Sequence, residues 1–151
     1  MAYARVEEFV EAFPNEGVVL TNLEDPAAIA VDMPELQQAL DAASAEIDLY
    51  LQRRYLLPLD SLVPLDPEDP MAVPVFPGIL VQWCRDIARY RLDRFQPADD
   101  VRRRYEDAIH GLNAIAQGRM DLFDQVGNQG SAKAIARDRV WDDAGLAGFG
   151  W

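Results

Sequence analysis

The side chains able to do chemistry in this sequence are few and poorly placed for it. His110 is the one histidine and Cys84 the one cysteine. One of each cannot supply a structural zinc site, and a lone cysteine permits no disulfide within the chain, which fits a reducing compartment. Ser44, Ser61 and Ser131 sit in no nucleophile elbow, and no second histidine exists to serve a triad. Glu46 and Asp48 have the look of an acid–base pair. Residues two apart on a helix point in different directions, however, and cannot flank one bond, so a solvated face is expected. No Walker loop or GxGxxG occurs, and the glycines gather near the C-terminus instead of between a strand and a helix. The sequence therefore assigns no catalytic, metal-binding or cofactor-binding residue and calls for no cofactor.

The elements that carry these residues read as helices. "RVEEFVEAF" spaces Val6, Phe9, Val10 and Phe13 at i, i+3, i+4 and i+7 and stops at Pro14, which predicts a short helix over 5–13. "NEG" is a turn signal, and "VVLTN" fits a short extended piece. A long helix over 33–55 is predicted next, with Asp32 as N-cap and Glu35 at capping-box spacing. Its apolar stripe is Leu36, Leu40, Ala43, Ile47, Tyr50 and Leu51, and it should end near Tyr55, before Pro58. A third helix over 77–95 has apolar residues from Ile79 to Phe95 spread over roughly 220° of its circumference, and so should be central. Cys84 falls in that core. The fourth, over 97–117, carries Val101, Tyr105, Ala108, Leu112 and Ile115 on one stripe and ends near Gly118. His110 lies about 180° from that stripe, facing solvent. The basic triplet in "VRRRY" supports the same helix if Arg102 reaches Glu106 and Arg103 reaches Asp107 at i+4.

Charge and proline mark what lies outside the bundle. The net charge of −12 is concentrated in residues 1–70, which hold 3 basic and 15 acidic side chains, whereas residues 71–119 hold 8 and 6. With a pI near 4.3, tight DNA binding is disfavoured. Residues 58–77 contain six of the ten prolines, with Pro64, Pro67 and Pro70 every third residue, the period of polyproline II. A stiff acidic excursion is expected there. The acidic start lacks a signal peptide's apolar centre, and no apolar run approaches the roughly 18 residues of a membrane span, so a soluble, non-secreted protein is expected. The result is an all-α domain over 1–122, a small four-helix bundle with the 58–77 loop inside it, followed by an extended C-terminal arm over 123–151.

Tyr3, "LTN" at 20–22, "ALDAASAEIDLYL" at 39–51, "RYLLPL" at 54–59, "CRDIARYRL" at 84–92, "RYEDAI" at 104–109 and "IAQG" at 115–118 are similar, in order and spacing, to the Mu-like phage and prophage head–tail connector family. This family of small helical proteins was formerly catalogued as a domain of unknown function. The likeness covers residues 3 to about 120 and departs from the family at the long proline-rich insert. It implies a structural virion protein: a head-completion adaptor at the head–tail junction, present in the host cytoplasm during assembly. By analogy it forms a homo-oligomeric, dodecameric ring under the portal protein. DNA passes through without specific binding or membrane contact, and a neck, stopper or tail-terminator protein docks below. The alternative is a non-catalytic regulatory subunit, or an enzyme subunit whose site a partner chain completes.

Three sets of residues are expected to serve such a ring. Trp141, Leu146, Phe149 and Trp151 lie among glycines that cannot bury them locally, and would anchor the arm on the portal or a neighbour. Arg54, Arg91 and Arg94 project within apolar arcs, where each must snorkel or find a carboxylate. With the outward-facing Leu49, they are candidates for contact between subunits. Asp60, Asp66, Glu68 and Asp69 are candidates to face the DNA channel, where repulsion would keep DNA mobile.

Overall fold

A computed structural model describes residues 2–122, and among them the fold is all-α with five helices: α1 (Val6–Ala12), α2 (Glu16–Thr21), α3 (Met33–Leu51), α4 (Gly78–Leu92) and α5 (Asp99–Ala116). The expected four are present, and α2 is an addition where a turn and an extended piece were predicted. Val18 and Val19 favour a strand locally, but tertiary contacts override that preference. The Thr21 hydroxyl, 2% exposed, donates to the Gly17 carbonyl at 2.7 Å and accepts from the Asp32 backbone at 2.9 Å, tying α2 to the start of α3. The Asn22 amide closes the connection by donating to the Val18 and Ala30 carbonyls at 2.8 and 2.7 Å.

α3 and α4 form the central pair, α5 packs on both, and α1 and α2 lie against α3. The stripe predicted for α3 is its buried face: Leu36, Leu40, Ala43, Ile47 and Leu51 are inaccessible, with Tyr50 half-buried. Asp32 caps α3 by accepting from the Glu35 backbone at 3.2 Å, but only half of the capping box forms, because the Glu35 carboxylate is taken by Arg94. α3 ends at Leu51, earlier than expected, and turns carry the chain on to the buried Tyr55.

α4 is central, as its wide apolar arc predicts. Leu80, Cys84, Ile87 and Ala88 are fully buried and Trp83 nearly so. The helix stops at Leu92, with Asp93 as C-cap, so Phe95 falls beyond it and is 80% exposed instead of packing. α5 buries Val101, Ala108, Leu112 and Ile115 and half-buries Tyr105. It is followed by Gly118 at φ +79°, a left-handed conformation suited to glycine. Asp99 and Asp100 occupy its first turn, where carboxylates complement the helix dipole.

Of residues 58–77, expected wholly outside the bundle, Leu59 and Phe76 are buried in its core, and the stretch between them leaves it, but not as a polyproline helix, which has no internal hydrogen bonds. Asp69 and Ala72 donate backbone bonds to the carbonyls of Asp66 and Asp69, each at 3.1 Å, folding the tip into successive turns. Asp66 and Asp69 carboxylates accept from the Glu68 and Met71 backbones at 2.9 and 2.8 Å, the local capping that aspartate offers in turns. At the base Ser61 Oγ accepts from Val75 N at 2.8 Å, and Leu62 N donates to the Val75 carbonyl at 2.7 Å.

Candidate functional site

The polar residues of the body are organised into three internal clusters. In the first, the Tyr3 hydroxyl donates to the Asp48 carboxylate, and Tyr3 N donates to Ser44 Oγ at 2.8 Å. Ser44 Oγ lies 3.3 Å from Cys84 Sγ. Burial raises the Tyr3 hydroxyl and the Cys84 thiol above their ordinary pKa values, so both are held neutral. Cys84, fully buried and protonated, is a packing residue and no nucleophile.

In the second, Glu46 Oε1 accepts from Arg91 at 3.2 Å and from the Tyr105 hydroxyl at 3.3 Å. Tyr105 stacks on Tyr90 with ring centres 4.2 Å apart and planes 11° from parallel. Glu46 and Asp48 thus diverge as the spacing requires, but they are not the solvated face that was expected. Both are half-buried, each bound to a tyrosine from a different element.

The third was not legible from the sequence. Arg89, 7% exposed, holds Glu16 with two bonds of 2.6 and 2.8 Å, lies 3.7 Å from Asp100, and stacks 4.6 Å over the Phe13 ring. It joins α2, α4 and the start of α5. Nearby Asp86, 4% exposed, lies 3.8 Å from Arg104. Burial pushes the Asp86 carboxyl above its ordinary pKa, and the opposing pull of Arg104, Arg85 and Arg89 is smaller. The available signal was the i, i+4 arginine spacing around Asp86 inside an apolar helix. An arc as wide as roughly 220° leaves its centre undefined, and by spacing alone Arg91 and Arg94 fall within it as readily as Arg89.

Each of the flagged arginines has found a carboxylate within the chain. Arg54 pairs with Asp121 at 3.1 Å, Arg91 with Glu46 at 3.2 Å, and Arg94 with Glu35. Leu49 stands out from α3 at 63% exposure. In the basic triplet, Arg102 pairs with Asp99 one turn back instead of Glu106, the expected Arg103–Asp107 pair does not form, and Arg104 pairs with Asp86. His110 is exposed, as predicted.

The outer surface offers two features. Asp60, Asp66, Glu68 and Asp69 are all exposed on the excursion, together with Val63, Leu65 and Met71. Beside the base of the excursion, a groove of about 880 Å³ runs between the N-terminal segment and the start of α3. Its apolar side is formed by Met33, Val73 and Val75, which are 49%, 45% and 44% exposed. Its rim carries Arg5, Glu7, Glu8 and Asp41. The arm residues Trp141, Leu146, Phe149 and Trp151 lie outside the described residues. Among the described residues no cluster of three or more His, Cys, Asp or Glu side chains could hold a metal ion, and no helix is long and apolar enough to cross a membrane.

Residues 3–137 match the family described as bacteriophage Mu, Gp36, a span that extends past the quoted motifs, which end near residue 120. The chain is 32% identical over 129 residues to the Mu-like prophage FluMu protein gp36 of Haemophilus influenzae, covering 82% of each. It is 27% identical over 121 residues to Gene product J of Escherichia phage Mu, covering 80% of this chain and 76% of that one.

Proposed function

The chain belongs to the bacteriophage Mu Gp36 family, and from that premise we propose that it is a structural head–tail connector. Copies of it form a ring, dodecameric by analogy, beneath the portal, through which DNA passes and on which a neck or tail protein docks. The observation that carries this reading is the division of labour in the charges. On the body, Arg54, Arg89, Arg91 and Arg94, of which Arg89 is buried and Arg91 and Arg94 are exposed, are each paired with a carboxylate of the same chain. Outside it, Asp60, Asp66, Glu68 and Asp69 stand exposed on a loop latched at its base. Arginines so paired are less free to hold the phosphate backbone, and the exposed carboxylates repel it, as a conduit for DNA requires.

Catalysis has little to draw on: the thiol is buried, the histidine stands alone at the surface, and the paired carboxylates of α3 diverge. Between subunits, Leu49 is the better of the candidate contacts, because the arginines would have to leave partners they already have. The arm residues Trp141, Leu146, Phe149 and Trp151 would reach the portal or an adjacent subunit. Electron microscopy of the purified chain with the portal protein tests the reading. Rings seated on the portal are expected, with the 60–69 carboxylates at the lumen. A chain that stays monomeric and does not bind the portal overturns it.

A further inference from the structure

The groove beside the excursion is bordered by three large apolar side chains, each 44–49% exposed, and its rim is unevenly neutralised. Arg5 is paired with Glu8 at 3.4 Å, which leaves the carboxylates of Glu7 and Asp41 without a cationic partner in the groove among the described residues. Clustered exposed apolar side chains with a charged rim mark a binding surface. We infer that its occupant is residues 133–139 of the same polypeptide, "KAIARDR", which lie outside the described residues.

Charge selects this segment. Among the described residues, the excursion bearing Val63, Leu65 and Met71 also projects apolar side chains, but it carries Asp60, Asp66, Glu68 and Asp69 and would be repelled by the rim. Residues 133–139 instead hold three cations, Lys133, Arg137 and Arg139, against the single Asp138, a net +2 that matches the two carboxylates left over. Ile135 supplies an apolar side chain for Met33, Val73 and Val75, and Ala134 and Ala136 are small enough for the backbone to lie close.

Reach permits the connection within one chain. Leu122 is fixed beside Tyr55, whose hydroxyl accepts from Leu122 N at 3.1 Å, just past the end of α3. From there to Asp41 along the helix is on the order of 20 Å. The ten residues 123–132 can span up to roughly 33 Å. A tether of that length holds the segment near its own groove at an effective concentration in the millimolar range, favouring it over another molecule's. Residues 140–151, with the aromatic anchors, are then carried on a fixed point of the body. The inference does not rest on ring formation, and its failure would leave the connector reading intact.

The test places a photoreactive benzoylphenylalanine in place of the exposed Gln37, on the groove, in the full-length chain. After irradiation, mass spectrometry of proteolytic fragments is expected to find adducts to residues 133–139 within single chains. The triple variant Lys133→Glu, Arg137→Glu, Arg139→Glu should abolish them, as should salt raised to about 1 M, where exposed charges are screened within about 3 Å. Adducts confined to other residues, adducts found only between chains, or adducts insensitive to both charge reversal and salt would overturn the inference.

Discussion

Gly111 of α5 faces the indole of Trp83 on α4 so closely that a Cβ built at Gly111 would sit well inside 3.0 Å of the ring carbons Cζ2 and Cη2. The glycine is there for space and not for backbone freedom: it lets two helices approach until the largest side chain of α4 fills the gap left by a missing methyl. Gly111→Ala is therefore expected to destabilise the fold by about 1–3 kcal/mol through overpacking, despite alanine's better helix propensity. Denaturant melts of Gly111→Ala alone and with Trp83→Leu would check this. Trp83→Leu should cost less when combined with Gly111→Ala than it does in the native chain.

Ile87 is fully buried in the middle of α4. Truncation to alanine is expected to cost about 2–5 kcal/mol through lost transfer energy and the cavity left behind. A loss under about 1 kcal/mol in a denaturant melt would mean that the site collapses, or that α4 is not the centre of the core.

The Arg89–Glu16 pair is asymmetric: the arginine side chain is 9% exposed and the glutamate 45%. Removing the glutamate leaves a guanidinium in the interior with the more distant Asp100, the field of Asp86 and the Phe13 ring, whereas removing the arginine frees a carboxylate that can rehydrate. Glu16→Ala is expected to cost about 1–3 kcal/mol, and Arg89→Met less, although the arginine makes the larger number of contacts. Equal losses in thermal or chemical melts would show that desolvation does not dominate.

Asp86 sets a pH dependence with a defined sign. Its carboxyl titrates above its ordinary value of 3.8 in the fold, because burial outweighs the nearby arginines. Between the unfolded and folded values the native state holds the extra proton, so stability falls as pH rises through that window and is level above it. Asp48, raised chiefly by burial, adds to the same trend. Asp86→Asn should flatten the decline. The stability of the variant relative to the native chain is expected to improve as pH rises from about 4 through the folded-state value and to stay level above it, in denaturant titrations.

Deleting residues 140–151 is expected to leave the thermal melt of the helical body nearly unchanged while abolishing portal binding or ring stability. Calorimetry and pull-down on the portal protein measure the two effects separately. Unchanged affinity of the truncated chain for the portal would mean that the arm is not the anchor.

The helices were legible because their apolar spacing is strict: Leu36, Leu40, Ala43, Ile47 and Leu51 repeat on one face and are inaccessible. Ends were less so. α4 loses its last turn because Asp93 closes it, and no periodicity records a cap of that kind. α2 was missed because what holds it is the bond that the Thr21 hydroxyl accepts from the Asp32 backbone, 11 positions on, and an ion pair to a residue 73 positions away. Local spacing contains neither. The charged clusters follow the same division. That Arg54, Arg91 and Arg94 need carboxylates could be read from their helical positions, but which carboxylates they take depends on how the helices pack.

The latch between Ser61 and Val75 brings the two ends of the excursion together, so the bundle is indifferent to what lies between them. Doubling the length of such a closed loop costs only about 0.6 kcal/mol in closure entropy. Residues 64–71 are thus a natural port for grafting on the isolated chain: an epitope, a fluorophore site or a small folded module placed there should project from the body while the helices beneath fold unaltered.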